Sequence, residues 1–151
     1  FPQKLAKNFS AVHTGIPTES TGEMVSLVRN LYKKKPEFVE SVLSSQEKLT
    51  RELLSAIRDS DDALMIRIIR AGEKNLESLG VVSEFSKSII REIEASGGAV
   101  KICGGGGIKH GTGILLTYHR DKKAIEKIAN NFKLTYLAIR LGEEGVGIED
   151  L

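Results

Sequence analysis

Lys101-Ile-Cys-Gly-Gly-Gly-Gly-Ile-Lys-His-Gly-Thr-Gly113, running on into Ile114-Leu-Leu-Thr-Tyr118, decides how this chain is read. Six of the thirteen residues from Lys101 to Gly113 are glycine, and β-like runs lie on both sides. Glycine inside an ordered element costs roughly 0.5–1 kcal/mol relative to alanine, so six of them need a reason. One reading is a backbone that takes positive φ and approaches a ligand closely, often a phosphate met by several N–H groups. The other is a flexible connection between two strands. Composition alone does not separate them.

Outward from this stretch the hydrophobic period changes sign. Residues 99–103 and 113–118 read as strands flanking the glycines. Before them the pattern is helical. Residues 8–14 (NFSAVHT) read as a strand, and 16–19 as a turn. Ser20-Thr-Gly-Glu23 has the capping-box form, in which the Ser20 hydroxyl accepts the Glu23 amide and Glu23 reaches back to the Ser20 amide. Met24, Val25, Leu27, Val28 and Leu31 carry the helix that follows. Pro36 opens a second helix, striped by Phe38, Val39, Val42, Leu43, Leu49, Leu53, Leu54 and Ile57. Ser60-Asp-Asp62 opens a third, with Leu64, Met65, Ile68, Ile69, Leu76 and Leu79 inward. Ser83 caps a fourth, with Phe85, Ile89, Ile90 and Ile93 inward. After the glycine stretch come a helix over 121–132, a strand over 133–141, a turn at Gly142-Glu-Glu-Gly145 and a strand over 145–149. The order is strand, four helices, two strands, helix, two strands. It predicts an α+β fold, helices covering one face of a mostly antiparallel sheet.

The 151 residues suit one domain, 1–151, with room for a core. A net charge of +2 is too small to point to nucleic acid, and no stretch has transmembrane length. An aromatic content of 5% with no strand signature of stacking rings also argues against RNA on the sheet. The single cysteine, Cys103, allows no intrachain disulfide and suits a reducing cytoplasm. The chain opens on Phe1, which reads as the interior of a longer protein.

Three segments together resemble the C-terminal domain of the GHMP kinases, a family that includes galactokinase, homoserine kinase, mevalonate kinase and phosphomevalonate kinase. Thr14-Gly-Ile-Pro-Thr-Glu-Ser-Thr21 with Met24-Val-Ser-Leu-Val-Arg29 is similar to the strand, turn and Ser-Thr helix start of mevalonate-type members. Gly98-Ala-Val-Lys-Ile-Cys-Gly-Gly-Gly-Gly107 is similar to the family's third motif, Ala-Lys-Leu followed by Ser/Thr-Gly-Ala-Gly-Gly-Gly. Asn75-Leu-Glu-Ser-Leu-Gly-Val-Val82 resembles the family's Leu-Gly-Val before the next helix. Cys103 departs from Ser/Thr, Gly105 from alanine, and Ile108-Lys109-His110 is inserted. The resemblance favours mevalonate kinase, with phosphomevalonate kinase next.

What the resemblance implies is a ferredoxin-like sandwich and transfer of the ATP γ-phosphate to a hydroxyl of a small molecule, with Mg²⁺ required by the whole enzyme. It places no catalytic residue here. The family's nucleotide loop, Pro-x-x-x-Gly-Leu-Gly-Ser-Ser-Ala, is absent from these residues, so the catalytic groups and most of the metal site are expected in an N-terminal partner domain. This chain alone is expected to be inactive, and a homodimer is left open. Phosphate or nucleotide-loop contacts fall to Gly104, Gly105, Gly106, Gly107 and Lys109, and substrate contacts to Ser20 and Thr21. Each has an ordinary structural alternative: a turn for the glycines, a solvated tip for Lys109 and His110, and a plain helix cap for Ser20. Cys103 is expected as a small buried thiol, His13 and His119 as strand-end residues, and Lys101 as a strand residue with its head in water. A non-catalytic ferredoxin-like binding module is the rival from another class.

Overall fold

The computed structural model describes residues 2–141. The elements are α1 (Gln3–Ala6), β1 (Phe9–His13), α2 (Thr21–Lys34), α3 (Pro36–Asp59), α4 (Asp62–Ser78), α5 (Glu84–Ala95), β2 (Ala99–Ile102), β3 (Ile114–Tyr118), α6 (Lys122–Asn131) and β4 (Thr135–Ala138). Among the described residues the strands form one antiparallel sheet in the order β2-β3-β1-β4. With helices between β1 and β2 and between β3 and β4, this is the ferredoxin-like α+β sandwich. The expected strand over 145–149 and the turn before it lie outside the described residues.

The register explains the burial. Val12 faces Leu115, and Leu115 faces Ile102, so alternation puts these residues and Val100 on one side of the sheet. Ile89, Ile90 and Ile93 of α5 and Ile125 and Ala129 of α6 cover that side. Each fully buried isoleucine contributes about 1.5–3 kcal/mol. A second cluster joins Leu49 and Ala56 of α3, Met65 and Ile68 of α4, and Leu5, Phe9 and Tyr118. The helix starts follow their sequence signals. Ser20 and Glu23 form the expected capping box, Asp61 accepts from the Leu64 amide, and Ser83 accepts from the Ser86 amide.

β2 lies at one edge of the sheet, and α4 runs along its unpaired side. The Arg70 guanidinium donates to the Gly98 carbonyl at 2.8 Å, and the Glu73 carboxylate accepts from the Ile102 amide at 2.9 Å. These two side chains take the place of a neighbouring strand, leaving the edge without open backbone groups at either end.

Three expectations need correction. The strand expected over 133–141 is shorter, because Lys133 takes a left-handed turn (φ 56°) after α6. Leu43 and Leu54 of α3 are 56% and 70% exposed. The buried line runs through Val39, Val42, Leu49 and Ala56, and a residue next to that line is rotated about 100° off it. The one-turn helix α1 was not foreseen, because four residues carry no period.

Candidate functional site

α2 begins beside the glycine loop. The capping box occupies both polar groups of Ser20: its amide donates to Glu23 Oε2 at 2.7 Å, and its hydroxyl accepts from the Glu23 amide at 3.2 Å. The amides of Thr21 and Gly22, in the first turn, have no partner within the helix. Among the described residues the Thr21 hydroxyl has no hydrogen-bond partner either. Thr21 is exposed. Hydrogen bonds from Ser20, with a smaller pull from Lys109, hold the Glu23 carboxyl below its ordinary range.

The loop itself divides in two. Gly104 and Gly105 are exposed, and among the described residues nothing accepts from the amides of Gly104, Gly105 or Gly106. A Cβ on Gly105 would sit 3.5 Å from Thr21, so loop and helix start face each other closely. Between them lies a cleft of about 360 Å³, whose lining includes Pro17, Ser20, Thr21, Cys103 and Gly104 to Gly106. Gly106 turns the chain with φ +82°, and a Cβ there would collide with the Val81 carbonyl oxygen. Only glycine meets both demands.

From Gly107 onward the loop is fastened. The Gly107 amide donates to Val81 O at 3.0 Å. The Thr14 hydroxyl donates to Gly113 O at 2.8 Å and accepts from the Thr112 amide at 2.9 Å. Thr112 and Ser86 hydroxyls share a bond of 2.9 Å, and Ser83 donates its hydroxyl to the His110 carbonyl. The His110 ring stacks on Phe85, with centroids 4.6 Å apart.

Of the residues expected from sequence, Ser20, Thr21, Gly104, Gly105 and Gly106 meet at one cleft. Gly107 is buried behind it in the fastened half, and Lys109 sits exposed near Glu23 without lining it. Cys103 is exposed, not buried. Strand alternation sends Ile102 inward, so the next side chain turns out into the cleft. Lys101 folds its ammonium back onto the Ile102 carbonyl at 3.0 Å, so its head is not simply in water. His119 accepts from the Asp121 amide and pairs with Ser96 O, as a strand-end residue would.

Sequence reasoning found Ser83 as a helix cap but missed its bond to the loop, and it missed the roles of Thr14, Ser86 and Thr112 there and Glu73 altogether. The signal for Glu73 was present: it follows Ile69 by four residues and precedes Leu76 by three, so it stands on the apolar stripe of α4. Glu73 is 0% exposed. Among the described residues no group of three or more His, Cys, Asp or Glu side chains is placed to hold a metal ion. No helix there is long and apolar enough to cross a membrane.

Neither a family model nor a curated protein sequence matches the chain. Solved structures do. The chain superposes on a Lin0012 protein from Listeria innocua with a TM-score of 0.78 and 23% identity, over 89% of this chain and 39% of that one. It superposes on mevalonate kinase of L. major, solved with R-mevalonate, with a TM-score of 0.73 and 16% identity, over 89% and 43%. Phosphomevalonate kinase of Streptococcus pneumoniae, solved with phosphomevalonate and AMPPNP, gives 0.71 and 16%, over 88% and 39%. The likeness is one of fold. The chain spans about two fifths of the length of these proteins.

Proposed function

We propose that this chain is the C-terminal domain of a GHMP-type kinase that transfers the γ-phosphoryl group of ATP to a hydroxyl of a small molecule, with mevalonate as the substrate. The observation that carries the reading is the cleft. Unpartnered loop amides and the unpartnered first turn of α2 converge from opposite sides, in a fold shared with a mevalonate kinase and a phosphomevalonate kinase.

The chain's residues suit a phosphate. Amide N–H groups at a glycine turn and at a helix N-terminus are donors aimed at negative charge. Gly104 to Gly106 would hold phosphate oxygens of ATP through their amides. The start of α2 and the Thr21 hydroxyl would orient an anionic group and hydroxyl of the substrate. Phosphoryl transfer depends on positioning and neutralisation of charge more than on covalent help, which is what such groups supply. ATP supplies the phosphoryl group. Mg²⁺, which the family resemblance implies for the whole enzyme, would be held mainly by the nucleotide and the N-terminal domain.

The test is ATP-dependent phosphorylation by the full-length gene product, with mevalonate and phosphomevalonate offered separately. Turnover of mevalonate alone supports the reading. Turnover of phosphomevalonate alone moves the protein to the other branch. Failure of both, with the whole protein folded, overturns it.

A further inference from the structure

Glu73 is a buried carboxylate that the cleft does not use directly. One oxygen accepts from the Ile102 amide at 2.9 Å, and among the described residues the other is buried without a partner. Ile102 ends β2, and Cys103 and Gly104 follow it into the loop. Three residues before Glu73 on the same helix, Arg70 holds Gly98 O at the other end of the strand. The two side chains therefore clasp the edge of β2 at both ends. The loop's open half has no clasp of its own, since Gly104 to Gly106 leave their amides unpartnered. Its position is set from its two ends: by Gly107, tied to Val81 O, and by the end of β2, where the Cys103 amide donates to Ile114 O at 2.8 Å and the Ile102 amide to Glu73.

We propose that Glu73 is a positioning residue for the glycine loop: its bond to the Ile102 amide fixes the root of the loop and so sets how Gly104 to Gly106 present their amides to a phosphate. This rests on the kinase reading for its consequence, though not for the clasp itself.

The clasp is responsive to protons. Burial pushes the Glu73 carboxyl up to about 7, with the Ile102 amide bond pulling the other way. Of the charged groups around it, Glu77 on its own helix adds to the rise, while Lys101 on β2 and Arg91 on α5 oppose it. A carboxylate accepts an amide bond more strongly than a neutral acid does. The clasp is therefore tighter above pH 7 than below it.

The test compares Glu73→Leu and Glu73→Gln with wild type in the full-length protein, by amide hydrogen exchange and by the KM for ATP. Glutamine keeps an acceptor for Ile102 but cannot titrate, and leucine keeps neither. The expected result is exchange at least tenfold faster in Glu73→Leu at the Cys103 and Gly107 amides, the bonded amides on either side of the open half, with α6 unchanged. Glu73→Gln should restore it. The KM for ATP should rise about tenfold in Glu73→Leu while kcat falls less. The ratio of wild-type to Glu73→Gln KM should fall as pH rises from 6 to 8. Unchanged exchange at the Cys103 and Gly107 amides in Glu73→Leu, or an unchanged KM for ATP, overturns the proposal. Should Glu73→Leu fail to fold, Glu73→Met, closer in length and also without an acceptor for Ile102, is read by the same two measurements. Faster exchange in Glu73→Leu confined to 102–107, when the wild-type protein phosphorylates nothing, supports the clasp and overturns the kinase reading instead.

Discussion

The two halves of the glycine-rich stretch are built in opposite ways. From Gly107 to Gly113 the backbone is bonded to Val81, Thr14 and Ser83, and Thr112 reaches Ser86. From Gly104 to Gly106 no described residue accepts from the amides. The same residue type serves both halves, so glycine content does not tell them apart. What does is the Val81 carbonyl and the hydroxyls of Thr14, just past β1, and of Ser83 and Ser86 at the start of α5. They tie down one half at several points, while the other leaves its donors to water or a ligand. An exposed amide such as that of Gly104 or Gly105 loses little by waiting, because water satisfies it until a phosphate replaces it.

The sharpest break in this contrast lies at Gly106, where the halves join. Gly106→Ala would combine a left-handed φ with a collision against the Val81 carbonyl. It should lower stability by more than about 3 kcal/mol, read from the urea midpoint of the full-length protein. A midpoint within experimental error of wild type would show that the join is not constrained as described.

The next effect belongs to the root of the open half. Glu73 rises from an ordinary 4.5 to about 7, so between those values the folded protein holds a proton that the unfolded chain has lost. Stability is therefore fully present at and below the ordinary carboxylate range and declines as pH rises through about 7. The span is on the order of 2–3 kcal/mol. Glu73→Gln should remove that decline, matching wild type near pH 5 and exceeding it at pH 8 in thermal melts at fixed ionic strength. Parallel curves for the two proteins would remove Glu73 from the account.

The fold was legible where elements carried their own signals: the Ser20–Glu23 box, Pro36 at a helix start, and the β-like runs on either side of the glycines. The cleft was half legible. Ser20, Thr21 and the first glycines meet there because a helix start and a strand end are local features, readable one at a time. The fastening of the second half was hidden. Thr14, Ser86 and Thr112 lie far apart in the chain, and a buried hydroxyl looks like any other serine or threonine until its partner is placed. Cys103 was misread for a related reason. Its exposure follows from the phase of one short strand, which the flanking glycines leave without a hydrophobic marker. Leu43 and Leu54 show the limit in the long helix: over 24 residues, apolar side chains fill more than the one line that is buried.

The fastened half predicts a moderate, purely structural effect. Ser86→Ala removes the partner of Thr112 and leaves a buried hydroxyl short of a bond. It should lower stability by about 1–2 kcal/mol in chemical unfolding, and leave the KM for ATP within twofold. A change in KM larger than the change in stability can explain would mean that the halves are not separable.

The open half predicts the smallest effect on stability and the more informative one on function. Thr21 is exposed, its hydroxyl has no described partner, and Ser20 rather than Thr21 supplies the cap. Thr21→Ala should therefore change the unfolding free energy by less than about 0.5 kcal/mol. If the hydroxyl orients substrate, the KM for mevalonate should rise about tenfold, equivalent to about 1.4 kcal/mol of lost binding, which suits one hydrogen bond to a charged group. The KM for ATP should move less, because the loop amides, not Thr21, face the nucleotide in this reading. Equal changes in both constants would place Thr21 in the phosphate cradle instead. No change in either would reduce the start of α2 to a helix cap and leave the glycine amides as this chain's contribution to the cleft.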